Sequence, residues 1–130
     1  ELLEQSGHVI ATRVIVPDDP EQMQPLLNEY RQQDSIDAVL MTGGTGISSR
    51  DQTYETVQQL IDRPLPGYGE LVRMLSYNDI GPAAMLSRAT GGLMGHTLLL
   101  TMPGSPAAVE LTMAKIILPE LCHLVHEAQR

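Results

Sequence analysis

The stretch IDAVLMT, residues 36–42, is apolar and free of breakers, and it runs directly into GGTGISSRD and then TYETVQQLI. A short apolar run before a glycine cluster, followed by apolar residues at helical spacing, reads as buried strand, loop and helix. This junction restricts the fold more than any other part of the chain. A buried parallel strand needs both of its faces covered, so helices must pack on either side of a sheet.

The remaining segments fit that plan. HVIATRVIV, residues 8–16, is rich in β-branched residues and reads as a strand at or near a sheet edge, ended by Pro17 and Asp18. Asp19 and Pro20 start a helix as N-cap and first helical residue, Gln22 completes a capping box, and Met23, Leu26, Leu27 and Tyr30 share one face. Thr53 is expected to cap the next helix, which buries Val57, Leu60 and Ile61. Pro64, Pro66 and Gly67 precede a helical stretch from Tyr68 to about Tyr77, and Gly81 and Pro82 precede the short turn AAMLSR. ATGGLMGHTLLLTM reads as a glycine-rich turn and a strand, His96 to Met102; PGSP then opens a long amphipathic helix kinked or broken at Pro119. ELLEQSG reads as the last turns of a helix closed by Gly7, with further chain expected before it. The order predicts one α/β domain over residues 1–130, a mostly parallel sheet between two helical layers.

Composition sets the chemistry of the interior and surface. Phe and Trp are absent, so a chain of 130 residues with 42% hydrophobic content must build an aliphatic core. Eight basic against sixteen acidic residues, a net charge of −8, argue against a nucleic-acid surface. No apolar run reaches membrane-spanning length. The single cysteine, Cys122, forms no internal disulfide, which suits a reducing, cytoplasmic setting. His8, His96, His123 and His126 share no metal-ligand spacing and read as structural.

In open α/β sheets ligands bind beyond the carboxyl ends of the strands. Three loops are expected there: VPDD, GGTGISSRD and PGSP. The glycine loop is neither a Walker A loop, lacking Lys-Ser/Thr after Gly46, nor a dinucleotide fingerprint, having Ser49 where the third glycine belongs. It does offer bare backbone N–H groups to an anion, beside a helix N-terminus. Asp18 and Asp51 would face one crevice and suit Mg²⁺ beside a triphosphate. Each residue also has a plainer reading. Asp19 is a helix cap, Asp18 could share that duty, and Asp51 could be an acid stabilised by the helix dipole. Glu70 and Arg73 could be a solvated i,i+3 pair, Ser87 and Arg88 could end a short helix, and Ser105 before Pro106 is a good N-cap. Four of the eight basic residues, Arg50, Arg63, Arg73 and Arg88, gather between positions 50 and 88, as suits a phosphorylated small molecule.

TGGTGISSRDQTYE, PLPGYGELVRMLS, AAMLSRATGG and LLLTMPGSPAAVE together resemble the MoaB/Mog molybdenum cofactor biosynthesis proteins, in the family's order and spacing over nearly the whole chain. The resemblance implies a three-layer α/β domain that assembles as homotrimers, sometimes paired into homohexamers. It implies molybdopterin binding and, in active members, Mg-ATP-dependent adenylylation of the terminal phosphate of molybdopterin, with other cofactor-pathway proteins as partners. By position, Thr42, Gly43, Gly44, Thr45 and Gly46 with Ser48, Ser49, Arg50 and Asp51 match the main binding loop. Asp51 matches an essential aspartate and Asp18 a second one, both implied Mg²⁺ ligands. Glu70 and Arg73 match the PGFGE helix, Ser87 and Arg88 the LSR segment, and Pro103, Gly104 and Ser105 the PGSP loop.

Two departures stand out. The family's opening, central strand with its Ser-Asp loop is not among these residues, and the usual DVTPE is here DQTYE, with Gln52 and Tyr54 replacing Val and Pro. The replacement at Tyr54 is expected to have little functional consequence. A non-catalytic molybdopterin-binding scaffold, or a related domain of a larger protein, are the alternative readings of the same motifs.

Overall fold

A computed structural model describes residues 1–130. The chain runs α1 (Leu2–Gln5), α2 (Pro20–Arg31), β1 (Ala38–Thr42), α3 (Thr53–Leu60), β2 (Arg63–Pro64), α4 (Pro66–Ile80), a 3₁₀ turn (Gly81–Leu86), β3 (Gly91–Met94) and β4 (Thr97–Met102). A continuous helical rod follows, made of α5 (Pro106–Thr112), a π segment (Met113–Ile117) and α6 (Leu118–Ala128).

The four strands form one sheet in the order β1-β4-β3-β2. β4 is its spine, buried at every position, and its alternation divides the core in two. Leu98, Leu100 and Met102 pack with Tyr68, Val72, Met113, Ile117 and Leu121 on the face covered by α4 and the helical rod. Leu99 packs on the opposite face with Leu27, Val57, Leu60 and Met94, under α2 and α3. The result is the expected α/β/α sandwich with an aliphatic interior. Tyr68, the sole aromatic in that core, donates its hydroxyl to the Thr101 carbonyl at 2.7 Å, and burial pushes its pKa up so that it stays a neutral donor.

The sheet itself differs from expectation. Only β1 and β4 pair parallel; β2–β3 and β3–β4 are antiparallel, so the sheet is mixed rather than mostly parallel. The cause lies in ATGGLMGHT: Gly91 and Gly92 are not a turn but strand, and the turn is at Gly95, whose φ of +62° reverses the chain into β4. His8–Val16 is likewise not a strand. β-branching favours extended backbone, but a strand also needs a ladder partner, and within residues 1–130 no strand lies beyond β1 to supply one. Val9 and Ile15 are 92% and 99% exposed. For the same reason β1 is half-buried rather than fully buried, having a neighbour on one side only.

The helix signals held with adjustments. Asp19 caps α2 by accepting from the Glu21 N–H at 3.0 Å, and the Gln22 amide donates to the Asp19 carboxylate instead of accepting from the Asp19 backbone N–H. Gly7, at φ +89°, closes α1 with the paired bonds Gly7 N–H to Glu4 O and His8 N–H to Leu3 O of a Schellman end. α4 starts two residues earlier and ends three later than expected. At Pro119 the rod is not broken: the π segment widens the preceding turn, with Leu118 N–H bonding Met113 O, and so makes room for the ring.

Candidate functional site

β1 and β4 are parallel and adjacent, so the two loops leaving their carboxyl ends lie side by side. Gly43 N–H bonds Met102 O at 2.9 Å, and a Cβ at Gly104 would stand 3.2 Å from the Gly43 Cα. The glycine loop and PGSP therefore touch backbone to backbone. Gly43 and Gly44 have φ of +93° and +68°, which bulkier residues resist.

In this double loop the amides of Gly44, Thr45, Gly46, Ile47 and Ser49, and those of Gly104 and Ser105, have no acceptor within the protein. Thr45 is only 5% exposed, which makes its free amide unusual, because buried backbone N–H groups are nearly always paired. The carbonyls on the same stretch are occupied: Gly43 O by the Thr53 hydroxyl, Gly44 O by Thr53 N–H, Thr45 O by Arg88 N–H and Gly46 O by the Arg88 guanidinium. Acceptors are tied back and donors are left over. Such an array favours an anion.

Both predicted aspartates border this loop. Asp18 presents its two carboxylate oxygens to the Gln52 N–H at 3.2 Å each, capping α3 from a distant segment, and a Cβ at Gly44 would collide with it. Asp51 Oδ2 accepts from Ser48 N–H at 3.0 Å while Asp51 N–H bonds Ser48 O, closing a tight turn; a Cβ at Gly46 would stand 2.7 Å from that carboxylate oxygen. Thr53 is not the cap expected of it. It is the first residue of α3, and its hydroxyl donates to Gly43 O instead.

The cations divide sharply. The exposed Arg50 side chain has no protein partner. Arg73 is directed away from solvent duty: its guanidinium donates to Ser87 O and Ala89 O, so it does not pair with Glu70, which stays exposed and unbonded. Arg88 donates Nε to Gly46 O at 2.8 Å and Nη2 to Asp51 O at 3.1 Å, forms a two-pronged pair with the Glu55 carboxylate, and lies 5.1 Å from the Tyr54 ring centroid. That pair holds the Glu55 carboxyl below its ordinary value. Glu55 and Tyr54 were missed as site residues, although both stand in DQTYE; the missing signal was the partner, 33 residues away. Ser105 accepts from Ala108 N–H at 3.2 Å and is the N-cap of α5.

The profile of a family described as a probable molybdopterin binding domain matches residues 1–123. The chain belongs to that family. Molybdenum cofactor biosynthesis protein B of Bacillus cereus is 48% identical, over 100% of this chain and 78% of that protein. A crystal structure of a molybdenum cofactor biosynthesis protein B superposes with a TM-score of 0.94 at 48% identity, covering 99% of this chain and 81% of that one. The molybdopterin biosynthesis enzyme MoaB of Thermus thermophilus gives a TM-score of 0.88 at 34% identity, covering 98% and 79%. By homology this is a molybdenum cofactor biosynthesis protein. No helix is long and apolar enough to cross a membrane.

Proposed function

We propose that the protein binds molybdopterin and transfers the adenylyl group of Mg-ATP to its terminal phosphate. One observation carries the reading: the acceptor-free amides of Gly44 to Ile47, Ser49, Gly104 and Ser105, presented by two touching loops at the carboxyl ends of parallel strands. Two adjacent anion-binding loops suit a reaction that brings one phosphate onto another. The names of the relatives supply the pterin. In this reading PGSP holds the pterin-side phosphate, and the glycine loop with Arg50 holds the triphosphate.

A phosphate oxygen of molybdopterin then forms a bond to the α-phosphorus of ATP, and the bond from that phosphorus to the bridging oxygen breaks, releasing pyrophosphate. Nothing requires a covalent protein nucleophile; alignment and charge stabilisation suffice. Asp18 and Asp51 fit Mg²⁺ by chemistry, being carboxylate oxygen donors packed closely against Gly44 and Gly46 of the loop. A magnesium ion held there would neutralise charge developing on the phosphates.

The test is incubation with molybdopterin and Mg-ATP, with detection of adenylylated pterin and pyrophosphate. Tight molybdopterin binding with no AMP transfer would instead support a non-catalytic binding protein. That second reading draws on the same carboxylates, since both oxygens of Asp18 and one of Asp51 already accept backbone N–H bonds.

A further inference from the structure

We propose that Glu55 and Arg88 form a clamp that sets the orientation of the glycine loop before any ligand arrives, making both positioning residues rather than ligands. The inference deepens the proposed function and rests on it only for its catalytic consequence.

The geometry is that of peptide planes. In a trans peptide the C=O and the following N–H point in opposite directions, so whatever holds one aims the other. Arg88 N–H holds Thr45 O at 2.7 Å, which turns the Gly46 N–H the opposite way. Arg88 Nε holds Gly46 O, which turns the Ile47 N–H the opposite way. Both of those amides lack acceptors. Arg88 Nη2 holds Asp51 O, and the other end of that same peptide, Gln52 N–H, is held by Asp18. One arginine thus fixes three peptide planes of the loop, at its start and at its end. The closed turn between Ser48 and Asp51 hangs between these anchors, and with it the Asp51 carboxylate.

Arg88 reaches these carbonyls as a planar fork, and Glu55 with Tyr54 holds the fork in place. Four of its five N–H groups are engaged by Gly46, Asp51 and Glu55, which leaves little of it to meet a phosphate. Glu55 comes from α3 and Arg88 from the segment before β3, so the clamp also ties the loop to the body of the domain.

Glu55→Ala tests this, since the side chain is 48% exposed and its loss leaves the core untouched. Amide exchange in the free protein is expected to accelerate at Ser48, Asp51, Gln52 and Thr53 while Leu99 and Leu100 keep their protection. Molybdopterin affinity and turnover at saturating Mg-ATP are expected to fall about tenfold or more, as for losses of outer supporting partners. Glu55→Gln, which keeps an acceptor, should recover part of the effect, whereas Arg88→Lys should not, because one ammonium cannot span Gly46 O and Asp51 O. Unchanged loop exchange overturns the clamp, and so does faster exchange with full molybdopterin binding. Tighter molybdopterin binding in Glu55→Ala also overturns it, since Glu55 would then be a placeholder that a phosphate displaces from Arg88. If the wild-type protein transfers no adenylyl group, the proposed reaction fails, and exchange and pterin binding still decide the clamp.

Discussion

Asp51 closes the Ser48 turn in this structure and is a Mg²⁺ ligand in the proposed reaction, and Asp51→Ala would remove both. Asn keeps an oxygen for the Ser48 N–H but loses the charge, so Asp51→Asn is expected to preserve the turn. Adenylyl transfer should fall on the order of 100-fold, the usual scale for losing one electrostatic contributor. Molybdopterin binding should hold or tighten slightly, because a negative charge beside an anion is gone. Turnover near wild type at saturating Mg²⁺ would reduce Asp51 to a turn former. Glu55 supports a separate expectation. The Arg88 guanidinium hydrogen-bonded to it lowers its folded pKa, so the pair's stabilisation is complete above the ordinary carboxylate value and is lost as pH falls through the lowered one. Between about pH 6 and about pH 3 the thermal midpoint of wild type should therefore drop more than that of Glu55→Gln, by a small margin suited to an exposed pair.

At the scale of elements, PGSP combines a cap with a close approach, and two substitutions separate them. Ser105→Ala removes the cap of α5 and is expected to cost about 1 kcal/mol in denaturant unfolding, with molybdopterin binding little changed. Gly104 does not have a positive φ, yet a Cβ there would press on Gly43. Gly104→Ala is the milder variant, expected to weaken molybdopterin binding several-fold by parting the loops; retained affinity would confine PGSP to starting a helix. The elements legible in sequence were those carrying their own local signal. Asp19-Pro20, Ser105-Pro106, Gly7 and the apolar run into Gly43 all specify what they form. β2 and β3 were not legible, since Arg63-Pro64 and Gly91-Gly92 have no strand chemistry and are strands only because β4 lies beside them. The three loops of the site were legible as types, while the Arg88–Glu55 contact depends on folding and has no local signature.

For the whole molecule, the exposed apolar residues are unevenly distributed. Leu71, Met74, Tyr77 and Ile80 of α4, with Met85 and Leu86 of the 3₁₀ turn, are each at least 47% exposed and lie on contiguous elements. We propose this face as the subunit contact of a homotrimer or homohexamer. Met74→Lys, on a side chain 58% exposed, should leave the fold intact and shift micromolar protein toward monomer in light scattering. An unchanged mass would place the contact elsewhere. The net charge of −8 bears on that contact. Copies of the chain repel one another over about 10 Å at 0.1 M salt but only about 3 Å at 1 M. Association through the apolar face of α4 should therefore strengthen as salt is added.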